Sequence, residues 1–415
     1  TDNNQLVMET MRKVANRHHL ACLLHEKPFA GVNGSGKHNN WSMSTDEGEN
    51  LLNPGKTPYK NAQFLVFLCS VIEAIDKYAK LVRLSVAVPG NDHRLGANEA
   101  PPAIVSIFLG DQLTEILKQI ENGETASPRK REFLKVGVST LPSLPRDLTD
   151  RNRTSPFAFT GNKFEFRMVP SSSSVALPNT ILNTIVAESL SEIADRLEGA
   201  QELNSEVQNV LKDIINKHKR IIFNGNGYSK EWIKEAERRG LPNISSTVAA
   251  IPAWISKDSI ALFEKTKVFS KKELESRYEI ALEGYVKQIN IEALTMIDMA
   301  KRQILPASIK YARELASSIN EIKSAVPSAD TETEEDILKE ISSFIAKFNK
   351  AISSLEASIE KGQESDKCSY DKAVYYRDTV FKDMGILRQY GDGLETMVDA
   401  KIWPLPTYAD MLFNL

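Results

Sequence analysis

The sequence predicts a mixed α/β (α+β) fold in its first half, followed by a mainly helical region with an antiparallel helical hairpin. Two observations support this. Strand-like segments and loops rich in glycine or proline occur before about residue 203, and strand signals nearly vanish after it. Farther along, two stretches with apolar residues three and four positions apart flank a proline-containing break. The 415 residues allow two or three domains, and the change in character predicts domains at 1–202 and 203–415.

The first region is predicted to combine helices, strands and loops. Hydrophobic periodicity predicts helices over 5–16, 61–84, 99–121 and 178–197, and strands over 20–24 and 163–169. Loops are expected at 29–40 and 85–98, where glycine, asparagine and proline are frequent. Pro101 and Pro102 would fall in the first turn of the helix that Glu99 opens, where proline is tolerated. Segment 163–169 alternates apolar and charged residues, so we expect a half-buried strand.

The second region is predicted to be helical. Ser270 and Glu273 form a capping-box pattern that opens a helix running to about residue 304. Two apolar seams follow, separated by a break at 327–333. They consist of Ala312, Leu315, Ile319, Ile322 and Val326, and of Leu338, Ile341, Ile345, Phe348, Ile352, Leu355 and Ile359. We expect this hairpin to pack within one subunit, and segment 402–415 to dock as an irregular tail.

Charge and composition exclude several classes of protein. Lys and Arg number 52 and Asp and Glu 55, so the formal net charge is −3, which argues against a protein that coats nucleic acid through bulk positive charge. The longest apolar run, 64–72, is about half the ~20 residues that a membrane span needs. Cys22, Cys69 and Cys368 lie far apart without a CxxC pair, which argues against a disulfide scaffold or structural zinc. We therefore expect a cytoplasmic protein with neither nucleic acid nor membrane as partner.

The glycine-rich loop at 31–38 superficially fits a phosphate-binding P-loop. It reads G-x-x-x-x-G-K, but His38 stands where such a loop needs Ser or Thr to hold Mg²⁺. Gly34 and Gly36 would still let backbone N–H groups approach an anionic ligand, and His38 offers a nitrogen to a metal. By spacing alone, a surface turn with a chance histidine is the simpler interpretation.

Four segments occur in the order found in glutamine synthetases, and the chain resembles the long type III branch of that family. The segments are H-E-K-P-F and N-G-S-G-K-H within 25–38, R-L-G-A-N-E-A-P at 94–101, R-N-R at 151–153, and F-E-F-R at 164–167. The ending W-P-L-P-T-Y at 403–408 also resembles the type III tail. The resemblance implies a glutamine-synthetase-like catalytic domain over 1–202 and a helical C-terminal region over 203–415.

The resemblance also implies an activity and its partners. Glutamine synthetases join ammonium to the γ-carboxylate of glutamate with ATP, through a γ-glutamyl phosphate intermediate, using Mg²⁺ or Mn²⁺. Such phosphoryl transfer depends mainly on positioning and charge neutralisation. A homo-oligomer of stacked rings, a dodecamer, is expected from the same resemblance.

The family's metal and substrate residues can be carried over position by position. His38 and Glu165 match metal ligands, and an imidazole with a carboxylate suits Mg²⁺ or Mn²⁺ better than thiolates would. Without the resemblance, Glu165 would read as a solvent-facing strand residue. The substrate-binding positions match Asn33, Gly34, Arg94 and Arg167. The two arginines suit carboxylates because guanidinium can bind them in a bidentate manner.

The nucleotide-binding positions match Asn40, Ser42, Arg153 and Lys163, and Arg153 also matches a catalytic, phosphate-binding arginine. A surface charge is the simpler alternative for Arg153. A second phosphate arginine of the family is replaced by Ala158, and Lys163 stands where arginine is common. We therefore expect the phosphate contacts to be partly rebuilt.

Glu99 matches the catalytic glutamate of the family's mobile flap, which would attract ammonium and accept its proton. The alternative is a glutamate at a helix start that complements the helix dipole.

The family's N-terminal domain and its other metal-ligand glutamates have no counterpart in these residues, so the sequence predicts the C-terminal portion of a longer protein, nearly inactive alone. Two other functions stay open. One is a related carboxylate–amine ligase that uses another amine, and the other is a non-enzymatic structural or oligomerisation module of the same fold.

Overall fold

The computed structural model describes residues 2–20, 22–24, 27, 34, 36–96, 100–123, 154–364 and 368–406, and the backbone of 133–134 and 144–145. Two compact units divide the chain. The first comprises residues 1–2 and 23–278, and the second combines residues 3–22 with 279–415. The boundary therefore falls at 278/279, inside a long helix, whereas the domain boundary at 202/203 stays a prediction.

The first unit surrounds a small sheet with helices. Its strands are β1 (Gly36–Trp41), β2 (Ile107–Phe108), β5 (Phe157–Phe159) and β6 (Phe164–Pro170), and β3 (Phe133–Leu134) pairs separately with β4 (Leu144–Pro145). Its helices are α2 (Ala62–Lys77), α3 (Ala79–Leu84), α4 (Pro89–Arg94), α5 (Gly110–Glu121), α6 (Ala176–Glu198), α7 (Leu203–His218), α8 (Lys230–Arg238), α9 (Thr247–Ala250) and α10 (Lys257–Lys265).

The four-stranded sheet has the order β1-β6-β5-β2, with β2 and β5 parallel and the other pairs antiparallel. Aromatic side chains pack together in its core. The rings of Phe157 and Phe164 stack with centroids 4.7 Å apart, and Phe166 contacts Phe157 edge-on. Hydrogen bonds of 2.8 Å from Asn39 to Asn179 and from Trp41 to Asn183 connect β1 to α6. The buried face of β1 is thus held against α6, which leaves its other face open.

Three predictions for this unit are wrong in part. The predicted loop at 29–40 contains β1 from residue 36 onwards, and the predicted loop at 85–98 contains α4. The helix predicted over 99–121 begins only at Gly110. Pro101 and Pro102 lie in irregular chain, because a residue that precedes proline avoids helical geometry. Ile104 forms an isolated β-bridge with Asn243.

Smaller differences concern strand and helix continuity. The helix predicted over 61–84 breaks into α2 and α3 at Tyr78, whose backbone leaves helical geometry (φ −114°, ψ 27°). Residues 22–24 form no strand. Strand β6 is more buried than predicted. Glu165 is partly exposed, but Arg167 is buried, because neighbours that the periodicity could not indicate cover it. The helix predicted over 178–197 is confirmed as α6.

The second unit is helical, as predicted. It contains α1 (Asp2–Arg17), most of α11 (Lys271–Met299), α12 (Leu305–Ala325), α13 (Glu332–Gln363), α14 (Ser369–Tyr375) and α15 (Phe381–Glu395). No residue of α1 is buried, and its apolar side chains such as Leu6 are exposed. The described part of the tail, 402–406, is irregular, with Trp403 buried.

The capping box and the hairpin are both confirmed. Glu273 accepts the Ser270 N–H at 2.7 Å, and Ser270 Oγ accepts the Glu273 N–H at 3.4 Å. A π-helical turn at 300–304 joins α11 to α12, just before Pro306, which lacks the N–H that a regular helix needs. Helices α12 and α13 pack together, and α13 also packs against α15.

Within the described residues, no helix is both long enough and apolar enough to cross a membrane.

Candidate metal and substrate site

The open face of β1 carries the predicted metal and nucleotide residues in one row. Along β1, His38 and Asn40 are exposed while Asn39 and Trp41 are buried, as strand alternation requires. Asn40 lies directly opposite Glu165 of β6. The two strands therefore bring His38, Asn40 and Glu165 to the same face of the sheet, although Glu165 is more than 120 positions away from the other two in sequence.

Glu165 is the centre of a three-residue cluster. Its Oε2 lies 3.6 Å from His38 Nδ1 and accepts hydrogen bonds from Arg167 Nη2 at 3.0 Å and Nε at 3.2 Å. The His38 side chain is 63% exposed, whereas that of Glu165 is 12% exposed. The arginine thus anchors the carboxylate from the buried side, and the imidazole faces solvent.

The environment favours a neutral imidazole. Partial burial is the main cause that lowers the pKa of His38, and the positive charges of Arg167 and Arg94 lower it further, while Glu165 opposes them. A neutral imidazole keeps a lone pair available for a metal ion.

The chemistry of these donors fits part of a divalent-cation site. An imidazole nitrogen and a carboxylate oxygen close together are suitable ligands for Mg²⁺ or Mn²⁺. In the described residues, no group of three or more His, Cys, Asp or Glu side chains could hold a metal. His38 and Glu165 therefore account for two ligands only.

Arg94 is buried and bound to backbone carbonyl groups. Its side chain is 3% exposed, and its guanidinium donates to the carbonyl oxygens of Arg167 at 2.9 Å and Met168 at 3.2 Å. Arg167 is likewise engaged with Glu165. Binding of substrate carboxylates by these two arginines stays a prediction.

The described residues predicted to bind nucleotide lie on and next to the same two strands. Asn40 is exposed, and Lys163 is partly exposed in the turn before β6. Ser42 Oγ lies 2.9 Å from Asn50 Oδ1 and 3.0 Å from the carbonyl oxygen of Asn162. Ser42 thereby connects the end of β1 to the β5–β6 turn.

Ala158 stands where the resemblance predicts a second phosphate-binding arginine. It pairs with Glu165 across β5 and β6 and is fully buried. The position at which the resemblance predicts a phosphate arginine therefore lies next to the candidate metal ligand, and alanine gives it no charge in this chain.

Three predicted residues, Asn33, Glu99 and Arg153, lie outside the described residues. Gly34 is described, but no contact places it at the site. Two residues that flank Glu99 in sequence are joined by a hydrogen bond of 2.9 Å from the Gly96 N–H to the Pro101 carbonyl oxygen.

Asn91 is not among the residues that the sequence pattern indicates, although it is fully buried beside Arg94. The V-P-G-N-D pattern at 88–92 indicates that a helix begins here, because proline is common at the first position of a helix. That signal predicts α4 but not the contacts of Asn91.

Two stretches of the chain match known family domains. Residues 1–86 match the glutamine synthetase catalytic domain, and residues 206–323 match the glutamine synthetase C-terminal domain.

Three curated proteins are similar over essentially the whole chain. A glutamine synthetase of Butyrivibrio fibrisolvens is 47% identical over 100% of the chain and 59% of the relative. A type-3 glutamine synthetase of Dictyostelium discoideum is 44% identical over 99% of the chain and 57% of the relative. A glutamine synthetase of Bacteroides fragilis (strain YCH46) is 39% identical over 100% of the chain and 58% of the relative. The chain thus spans less than two thirds of the length of these relatives.

Proposed function

Because the chain belongs to the glutamine synthetase family, we propose that it serves the ATP-dependent ligation of ammonia to glutamate. In this reaction the γ-phosphoryl group of ATP moves to the γ-carboxylate of glutamate, and ADP leaves. The nitrogen of ammonia then bonds to the activated carbonyl carbon, phosphate leaves and a proton is lost. The products are glutamine, ADP and phosphate.

The His38–Glu165 pair is the observation that supports this proposal most directly. The two side chains come from different strands, lie 3.6 Å apart and share the open face of the sheet, where partial burial lowers the pKa of the imidazole. A divalent cation held there, Mg²⁺ or Mn²⁺, would neutralise phosphate charge during the transfer. Arg167 fixes the carboxylate of Glu165 through two hydrogen bonds, so that the ligand is oriented in advance.

The other predicted residues take roles around this pair. We propose that Glu99 accepts the ammonium proton, that Arg153 neutralises phosphate charge, and that Asn33 and Gly34 bind the substrate amino acid. The remaining nucleotide contacts come from Asn40, Ser42 and Lys163. A cytoplasmic homo-oligomer of stacked rings belongs to the same proposal.

The test is an assay of the protein as its host expresses it, with glutamate, ATP, Mg²⁺ and ammonium. We expect ADP release and glutamine formation. Glu165→Gln should lower the rate at least ~100-fold, because a metal ligand supports several kcal/mol of charge stabilisation. The matched control Glu47→Gln, at an exposed glutamate outside β1 and β6, should keep the rate.

The same assay separates the alternatives. Product formation only with another primary amine would indicate a related carboxylate–amine ligase. Absence of ADP release with every amine tested would contradict an enzymatic function and favour a structural module.

A further inference from the structure

The strand pair that carries His38 and Glu165 contains a β-bulge. Lys37 pairs with Val169, but Asn39 pairs with Phe166, so that two steps along β1 correspond to three steps along β6. The extra residue lies in the stretch Arg167–Met168, opposite His38. A bulge interrupts the ladder of backbone hydrogen bonds, and bulges are frequent beside active sites.

Helix α4 supplies side-chain donors to the carbonyl oxygens of the bulge. Arg94 donates to Arg167 O at 2.9 Å and to Met168 O at 3.2 Å. Asn91 Nδ2 donates to Met168 O at 2.9 Å. Buried carbonyl groups require partners, and these side chains meet that requirement at the bulge.

The donors are themselves fixed. Asn91 is fully buried, and its Oδ1 accepts a hydrogen bond from Arg94 Nη1 at 3.1 Å. On the other side of α4, Asp92 accepts hydrogen bonds of 2.7 Å from both the N–H and the hydroxyl of Thr247. Helix α4 is thus held between α9 and the bulge.

Gly36 leaves room for this arrangement. A Cβ atom at position 36 would lie 2.0 Å from Arg94 Nη2 and 2.6 Å from its Cζ. The guanidinium therefore fills the space that the Cβ of any residue other than glycine would need at position 36. This position lies two residues before His38. A side chain at 36 would have to displace the guanidinium from the carbonyl groups it binds.

We propose that Arg94 and Asn91 are positioning residues that hold the β6 bulge and thereby set the spacing of His38 and Glu165. In this role Arg94 acts through the backbone carbonyl groups of Arg167 and Met168. The link to catalysis rests on the proposed function, whereas the structural role of the two side chains does not.

Three variants separate the contributions. Arg94→Met keeps the length of the side chain but removes its donors, and Arg94→Lys keeps the charge but not the fork that reaches two carbonyls. Gly36→Ala displaces the guanidinium without changing Arg94. Gly284→Ala is the matched control, because a Cβ there meets nothing within 4 Å.

Hydrogen–deuterium exchange tests the structural role. We expect Arg94→Met and Gly36→Ala to accelerate amide exchange at least ~10-fold in 36–41 and 164–170, with Arg94→Lys intermediate and α13 unchanged. Unchanged exchange in the two strands of a folded variant would overturn the proposal. An equal increase throughout the chain would also overturn it, because it would indicate general destabilisation.

Mn²⁺ binding, followed by the electron paramagnetic resonance signal of the free ion, tests the link to the site. Removal of a residue that orients a ligand typically costs 10–100-fold in metal affinity, so we expect about that loss for Arg94→Met and a smaller loss for Arg94→Lys. Faster exchange with unchanged Mn²⁺ affinity would overturn the positioning role. If Mn²⁺ did not bind the unmodified protein, the proposed function and the positioning link would both fail, while the exchange data would still decide whether α4 holds the bulge.

Discussion

For Glu165 and Arg167, the sequence predicts that the two side chains lie close together but not that they bind each other. Side chains two positions apart on a strand share a face, so their proximity could be predicted from alternation alone. Their pairing could not be predicted, because the resemblance assigns a metal to Glu165 and a substrate carboxylate to Arg167. The structure instead joins them by two hydrogen bonds. Such pairing depends on which neighbours cover the strand, and that information lies in distant segments.

Glu99 carries the first prediction. No helix begins between 100 and 106, and α5 starts at Gly110, so a helix-dipole role for Glu99 has no support. We expect Glu99→Ala in the natural protein to remain folded and to bind ATP and Mn²⁺. Glutamine formation should fall by ~10²–10⁴-fold, the usual contribution of a general base.

The measurement combines the glutamine assay with thermal unfolding. A dipole role would instead cost ~0.3–1 kcal/mol of stability and leave the rate nearly unchanged. Near-normal turnover of a folded Glu99→Ala protein would therefore remove Glu99 from the mechanism.

Cys69 carries a second prediction. Burial, with a smaller effect from the charge of Glu73, raises the pKa of the Cys69 thiol to about 12. The thiolate is the reactive form, and at pH 8 its fraction would be on the order of 10⁻⁴. Iodoacetamide at pH 8 should therefore modify exposed Cys368 and spare Cys69 in the folded protein, as read by peptide mass spectrometry. Both should react in urea, and equal labelling without urea would show that Cys69 is accessible.

At the scale of elements, long periodic helices were predictable and short irregular ones were not. Helices α12 and α13 follow from their spacing, because an apolar seam with steps of three and four residues specifies each of them. Helix α4 and strand β2 are too short to show a period. The bulge in β6 was invisible in sequence, because its position depends on pairing with β1, about 125 residues earlier.

The hairpin gives a prediction at this scale. Ile352 of α13 is 1% exposed, whereas Ser354, two positions later, is exposed. Ile352→Asp would bury an unpaired charge and should cost several kcal/mol, while Ser354→Asp should change stability by less than about 0.5 kcal/mol. Ile345→Asp should cost less than Ile352→Asp, because Ile345 is only half-buried. Thermal unfolding measures all three, and equal stability of the Ile352 and Ser354 variants would rule out the packed seam.

At the scale of the whole molecule, ordered motifs identified the family more securely than composition did. The net charge of −3 and three separate cysteines only excluded classes of protein. The segments around His38 and Glu165 were informative because they place two predicted metal ligands in a fixed order along the chain. Their packing against α4 needed the structure, because Asn91 belongs to none of those motifs.

The central claim is that His38 and Glu165 bind one divalent cation together. A double-mutant cycle of Mn²⁺ affinity tests it, with His38→Ala, Glu165→Gln and the double variant, and with Glu47→Gln as control. Residues that act on one ion are energetically coupled, so each single change should weaken binding at least ~10-fold. We expect the double variant to lose clearly less binding free energy than the two single variants combined. Fully additive losses, or Mn²⁺ affinity unchanged by either single variant, would contradict it.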